Sequence, residues 1–382
     1  MPDPLRVLHC PTVVGGNAQQ LARSERVLGL RSWAVSFRQS PYGYTCDEIL
    51  WRSTWPAVFC ECCRWSLLWR ALRHFDVVHF NFGMPILPKP GPFNASHGSS
   101  LRSKAYRAYC QSVAFKDLAL LRRLKKAIFV TYQGDDARQG DYCRDNFEIS
   151  HVHEVGPEYY PPGSDEEKRR DIACFATYAD GIYALNPDLL HVLPPQARFL
   201  PYSHVDLQEW KPGPRLSMSR PYPLVVHAPS HKGAKGTRHV LGAVEKLRAE
   251  GVEFEFRLVE QLSNVDARRI YEQADVVVDQ LLVGWYGGFA VECMALGKPV
   301  ICYIRDQDLE RIPTNMRAEL PILRADPVTI YHVLKDCLTA RRNQLPKIGE
   351  LSRMYVERWH DPLQIAASLK NDYENAIAAK KR

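Results

Sequence analysis

The chain has 382 residues, a formal net charge of +7 and a pI near 8.8. At roughly 100–200 residues per domain, that length points to two domains, each able to bury a core of its own. With 46% hydrophobic and 24% charged residues the composition is that of a globular chain rather than a disordered or fibrous one; the scattered basic excess suits nucleotide phosphates, nucleic acid or an acidic membrane face without choosing between them, and no nucleic-acid-binding fingerprint is present, so no nucleic-acid partner is expected.

Leu5–His9 reads as a strand, Pro11–Asn17 as a turn containing Gly15 and Gly16, Ala18–Leu28 as a helix and Ser32–Phe37 as a second strand, which opens a βαβ unit. Phe59–Phe75 is an amphipathic helix carrying Arg64, Trp65, Trp69 and Arg70, followed by a strand over Asp76–Phe80. Tyr106–Lys125 is helical, and Lys126–Tyr132 is a strand that ends in the loop Gln133-Gly134-Asp135-Asp136. Arg138–Asp165 is polar and irregular, a surface excursion. Glu166–Tyr178 (helix), Gly181–Ala184 (strand), Asn186–Leu193 (short helix) and Arg198–Leu200 (strand) complete the first half.

Tyr202–Tyr222 is rich in Pro, Ser and Gly and is the best linker candidate. The alternation then starts again, with strands at Leu224–Ala228, Phe254–Leu258, Val276–Asp279 and Pro299–Tyr303. Between them lie helices at Lys235–Glu250, Asn264–Gln273 and Phe289–Ala295. Two runs of alternating strand and helix predict an α/β protein of two doubly wound lobes, with ligands at the carboxyl ends of the strands.

Eleven cysteines, an odd number without regular spacing, suggest reduced thiols in a cytoplasmic protein. Cys60-Glu61-Cys62-Cys63 lacks a convincing second ligand pair, although His151 and His153 can be imagined as one, so no metal site is expected. No signal peptide and no membrane span is expected.

Two stretches carry chemistry. The first, His227 to Thr237, follows a strand and opens a helix; Lys232 and Lys235 stand near that helix's start, and Gly233 and Gly236 let backbone N–H groups approach a ligand. Such a terminus binds phosphates, although a solvated turn has the same composition, and no Walker A loop is matched. The second runs from Asp279 through Gly284, Trp285, Tyr286, Gly287, Gly288 and Phe289 to Val300. Glu292 is the lone acid in its apolar helix, so it faces a polar ligand or pairs with a buried base.

Lys235-Gly236, Ala274-Asp275-Val276, Gly287-Gly288-Phe289 and Glu292-Cys293-Met294-Ala295-Leu296-Gly297-Lys298-Pro299-Val300 occur in the order and spacing that mark the retaining GT-B glycosyltransferases of family 4, or group 1, and the chain resembles that family. The first half is similar more weakly, through Gly15-Gly16, Thr131 to Arg138 and Pro201 to Asp206. The resemblance implies two Rossmann-like domains facing a cleft: an acceptor domain over 1–205, a donor domain over 206–355, and a C-terminal helix over 356–382 that packs back on the first domain.

It also implies transfer of a sugar from a UDP- or GDP-sugar to a hydroxyl of a glycan, lipid or small molecule, with the donor as substrate and no separate cofactor. Lys235 would hold the donor phosphates, assisted by Lys232, and Glu292 would accept from the ribose. Gly15, Gly16, Gly236, Tyr286, Gly287, Gly288 and Phe289 would line the donor, and Gln133, Asp135, Asp136 and Arg138 the acceptor. Those last residues read equally well as a helix cap and a salt-bridged loop.

Two departures stand out. The family's first glutamate, separated from the second by seven residues, falls on Gly284, where Trp285, Tyr286 or Asp279 would have to compensate. Gln133 stands where a histidine is common and cannot titrate. A nucleotide-sugar epimerase and a non-catalytic nucleotide- or glycan-binding protein of the same fold therefore remain alternatives. The 59–75 helix is read first as a packed helix; its mix of aromatics and arginines leaves a peripheral contact with the inner membrane face open.

Overall fold

The computed structural model describes residues 3–12, 14–40, 43–52, 54–90, 101–213 and 221–381. Seven strands form the first sheet: β1 (Arg6–Cys10), β2 (Arg31–Ser36), β3 (Glu48–Ile49), β4 (Val77–Asn81), β5 (Ala127–Tyr132), β6 (Gly181–Ala184) and β7 (Arg198–Phe199). They lie in the order β3-β2-β1-β4-β5-β6-β7, every pair parallel. The second sheet holds β8 (Leu224–His227), β9 (Glu255–Leu258), β10 (Val276–Val278), β11 (Val300–Cys302) and β12 (Leu323–Arg324), in the order β12-β11-β10-β8-β9 and again parallel. The central strands β4, β5, β8 and β10 are largely apolar and buried along their whole length, as sheets covered on both faces require.

The first lobe's helices are α1 (Asn17–Val27), α2 (Ala57–His74), α3 (Leu101–Val113), α4 (Lys116–Arg123), α5 (Gly140–Asn146) and α6 (Ser164–Tyr178). The second has α7 (Lys232–Lys235), α8 (Thr237–Ala249), α9 (Asn264–Tyr271), α10 (Gly288–Ala295), α11 (Asp306–Leu309), α12 (Thr314–Ala318) and α13 (Ile330–Leu338). Helices α14 (Leu345–Trp359) and α15 (Pro362–Lys381) follow.

Several expected elements change. The helix expected over Tyr106–Lys125 is two helices, because Phe115 takes φ 57° between α3 and α4. The helix expected from Lys235 is a single turn, α7, and then α8, because Gly236 turns left-handed at φ 71°. The polar excursion contains α5 and a helical turn at His151–His153. In α2 Leu67, Leu68 and Ala71 are buried in the core, while Trp65 and Trp69 are exposed.

The expected linker is bound rather than free in its first half. Tyr202, Ser203, His204, Val205 and Trp210 are buried. Arg353 on α14 donates to the carbonyls of Leu207, Trp210 and Ala295 at 3.2, 2.5 and 2.8 Å. Residues 214–220 of that stretch, and Val13 of the first glycine loop, lie outside the described residues. One apolar cluster runs from Val7, Val77 and Phe129 under the first sheet, through Tyr202, Val205 and Trp210, to Val226, Trp285 and Met294 in the second lobe.

The chain end packs across both lobes. α14 lies on α10, and α15 lies on α1 and β5. Tyr373 of α15 donates to Glu25 Oε1 at 3.1 Å, so it accepts from His79 Nδ1 at 2.6 Å. Glu25 also takes Ser32 Oγ at 2.5 Å and lies 2.8 Å from His9 Nε2. Tyr373→Phe would strand partners that have no water to turn to. A loss of roughly 1–3 kcal/mol is expected, read as a lower urea midpoint, and an unchanged midpoint would show that this network does not anchor α15.

Candidate functional site

The two sheets reverse their order beside β1/β4 and β8/β10, and the cleft between their carboxyl ends is where a doubly wound fold binds ligands. At the second switch point, His227 ends β8 and ties it to β10 by donating Nδ1–H to the Val278 carbonyl at 2.8 Å; burial pushes this imidazole down to about 4, so it stays neutral. The chain then makes α7, and Lys235 at its end reaches back to β10's exit.

There Asp279, fully buried, joins the parts. Its Oδ1 accepts from Lys235 Nζ at 3.0 Å and its Oδ2 from the Gly287 N–H at 2.6 Å. Gly287 is glycine for space: an added Cβ would lie 3.1 Å from Lys235 Nζ and 3.6 Å from Asp279 Oδ2. The lysine is thereby set against the start of α10, whose first amides carry a partial positive charge. Gly236 makes the left-handed turn between α7 and α8, and its own Cβ would crowd Leu282 at 3.2 Å.

Glu292 lies one turn into α10. Its Oε1 accepts from Asn264 Nδ2 at 2.8 Å and, across the cleft, from the Tyr44 hydroxyl of the first lobe at 2.9 Å. Burial pushes the carboxyl up to about 7, although those two bonds pull the other way. His204 Nε2 stands 3.7 Å from the same oxygen. Burial, with His360 adding repulsion, holds this imidazole down to about 3, so the contact is not an ion pair. Both His204 nitrogens are buried without a hydrogen-bond partner.

The first lobe's glycine loop meets the same place. Gly15 and Gly16 are left-handed, at φ 60° and 78°. A Cβ on Gly16 would touch Tyr44 at 3.0 Å and His204 at 3.3 Å, and one on Gly288 would reach His204 Nε2 at 3.3 Å. Asn17 Oδ1 accepts from the Ser203 N–H at 3.0 Å, which pins the loop to the crossing segment. Gly16, Tyr44, His204, Gly288, Asn264 and Glu292 therefore converge from both lobes.

Other expected site residues lie elsewhere. Lys232 is exposed and pairs with Glu260 at 3.0 Å. Gly233 accommodates the first lobe's backbone, since its Cβ would collide with the Glu154 carbonyl oxygen. Tyr286 is a core residue: its hydroxyl bonds Tyr355 at 3.0 Å and His360 Nε2 at 2.9 Å. The Phe289 ring packs on Tyr271 with centroids 4.8 Å apart, which leaves only its backbone near the cleft.

In the 133–138 loop, Asp136 is spent on the loop's own turn, accepting from the Gln133 and Gly134 N–H groups. Burial pushes it up to about 7. Arg138 is buried between Asp188 (2.7 Å) and Asp135 (3.0 Å), so both act as scaffold rather than as open acceptor contacts. Asp135 remains exposed and takes the Tyr159 hydroxyl at 2.6 Å, and Gln133 keeps a buried Nε2 without a partner.

At Gly284, φ is 95° and an added Cβ would fall 2.5 Å from Arg305 Nη1. Arg305 is itself held by Asp308 at 2.9 Å and lies over the Phe147 ring. A glutamate cannot replace this glycine without displacing Arg305. Neither Trp285 nor Tyr286, both buried, compensates, and Asp279 is engaged by Lys235. Asp279's clamp, Tyr44, Asn264 and His204 are the site residues that sequence reasoning missed. Only Asp279, at a strand exit before a glycine loop, left a usable signal.

No protein-family model and no curated protein matches the chain. Solved structures do. Sucrose-phosphate synthase from Thermosynechococcus elongatus is 15% identical at a TM-score of 0.58, covering 98% of this chain and 100% of its own. HepE of Anabaena, solved with UDP and glucose, is 10% identical at 0.60, with 97% and 100% covered. A UDP-N-acetylglucosamine 2-epimerase assignment from Listeria monocytogenes is 12% identical at 0.51, with 97% of both chains covered. The chain has the GT-B fold, with a parallel-sheet domain on each side of the cleft.

The Glu292 carboxyl has a pH signature. The unfolded chain releases this proton near 4.5 and the folded chain near 7, so in that window the folded form binds more protons. Its contribution to stability is lost as pH rises from 4.5 to 7 and stays lost above. Relative to wild type, Glu292→Gln should gain on the order of 2 kcal/mol between pH 5 and pH 8. Parallel stability curves for the two proteins across that range would remove the assignment.

Proposed function

We propose that the chain is a retaining glycosyltransferase of the family 4 type, moving a sugar from a UDP- or GDP-sugar to a hydroxyl of a glycan, lipid or small molecule. The observation that carries this reading is the convergence of Lys235, the start of α10 and Glu292 on one switch point, with Gly16 opposite. A diphosphate needs a cation and free amides; a ribose needs a hydroxyl acceptor one helical turn away. HepE, of the same fold, holds UDP and glucose. The motif resemblance supports the family and retention, as well as a division into 1–205, 206–355 and 356–382.

Lys235 Nζ has three donors, and Asp279 takes one. The others meet the diphosphate, together with N–H groups at Gly288 and Phe289. As the sugar's bond to the diphosphate breaks, negative charge grows on the leaving oxygen, and a prepositioned cation lowers that barrier. Glu292 accepts a ribose hydroxyl in the place of the Tyr44 hydroxyl. Gly15 and Gly16 let the first lobe's backbone approach the donor, and the Gln133 amide orients the acceptor hydroxyl, with Asp135 beside it. The acceptor attacks on the face that the leaving group vacates.

Arg305 filling the space beside Gly284 favours a second reading, in which the cleft binds a nucleotide sugar without transferring it. A UDP and GDP titration beside a donor-consumption assay separates the two: tight binding without turnover on any donor supports the second. Mass analysis of donor incubated without acceptor would reveal an isomerised donor, the epimerase outcome. For transfer, Lys235→Ala should lower turnover roughly 10²-fold or more. Near-normal turnover in that variant would sink the donor-site assignment.

A further inference from the structure

Helix α2 has two dissimilar faces. One packs Leu67, Leu68 and Ala71 into the first lobe. On the other, Val58, Cys62, Trp65 and Trp69 follow at spacings of four, three and four, which puts them on one side of a helix. Val58 is 73% exposed, Trp65 44% and Trp69 55%, and Trp55 and Phe59 flank the stripe, also exposed. Single exposed apolar residues are ordinary, but a row of them with three tryptophans is a contact surface.

The exposed charge around this row is mainly positive. Residues 52–74 and 101–113 carry Arg52, Arg64, Arg70, Arg73, Arg102, Lys104 and Arg107 against the acid Glu61; Arg70 is taken by Glu48 at 2.6 Å and Arg64 lies inward over Phe37 and Trp51. Glu61 is occupied by Arg64 at 3.3 Å and by the α3 hydroxyls of Tyr106 and Tyr109 at 2.8 and 3.1 Å. Those bonds, with Trp65 Nε1 donating to Tyr109 at 2.8 Å, set α3 beside α2. Arg52, Arg73, Arg102, Lys104 and Arg107 are exposed.

We propose that α2 and the adjoining α3 seat the first lobe on an anionic lipid bilayer. Indole rings at headgroup depth with arginines beside them are what such an interface selects, and the local charge complements acidic headgroups. α2 starts just beyond the carboxyl end of β3, on the cleft side of the sheet, so the seat begins beside the acceptor's approach. Resting on the transfer reading, this makes a lipid-borne acceptor the partner that gains from it. No described helix is long and apolar enough to cross a membrane, and a surface seat needs none.

The test is flotation of the full chain with vesicles of phosphatidylcholine alone or mixed with phosphatidylglycerol. The mixed vesicles should carry the protein, raised salt should release it, and brominated lipid should quench its tryptophan emission. Trp65→Ala/Trp69→Ala should weaken partitioning about tenfold or more. Arg102→Glu/Arg107→Glu should weaken it chiefly at low salt. Failure to float, absent quenching, or equal flotation of the aromatic variant would overturn the seat. So would concentration-dependent self-association lost in that variant, which would assign the stripe to a second copy. Thermal unfolding verifies that the variants fold, and UDP titration of the same variants reports on the donor site separately, so the two readings can fail independently.

Discussion

The candidate site depends on one buried carboxylate. Asp279 has no solvent around it, and a lone charge there would be costly. It is satisfied by an ammonium from α7 and an amide from the turn before α10, two pieces separated by half a lobe of sequence. Losing the ammonium would leave the buried carboxylate without a counter-charge, and losing the amide would leave one of its oxygens unbonded, so both partners fix its place. The lysine's direction follows from this pairing rather than from its own flexible stem, and Gly287 is the residue small enough to let the three groups meet.

A second constraint acts across the cleft. Tyr44, Gly16 and His204 come from loops of the first lobe and the crossing segment, yet they close on Glu292 and Gly288 of the second. Arg353 and the Tyr286–His360–Tyr202 chain stiffen the connection from behind. The stretch that composition marks as a linker is therefore part of the wall of the site.

Much of the architecture was legible in the order of residues. Apolar runs buried on both faces, separated by helical periodicity, located the main strands of both sheets, because burial on two faces leaves a continuous signal. β3 and β12, two residues each with an exposed or half-buried pattern, carry no apolar run and were not located, whereas the equally short β7 was. Lys235 and Glu292 were legible from chemistry, a lysine near a helix start and an acid in an apolar helix. Tyr44 and Asn264 were not, since a tyrosine and an asparagine in polar surroundings look the same whether they face water or a carboxylate 248 or 28 positions away. Tyr286 was misread for a related reason: next to two glycines it looks like a ligand contact, but burial and two hydroxyl partners make it core. Spacing also placed a glutamate's counterpart at Gly284, and only coordinates reveal the guanidinium beside it.

The bond from Tyr44 to Glu292 bears on selectivity. On the proposed reading, a nucleoside arriving at that carboxylate would replace one hydroxyl with another, so the count of bonds would barely change at that point. Recognition energy would then come from elsewhere in the proposed ligand, the diphosphate above all. A free nucleoside should then gain little from this cleft, because the buried Glu292 already has a hydroxyl and an amide to bond.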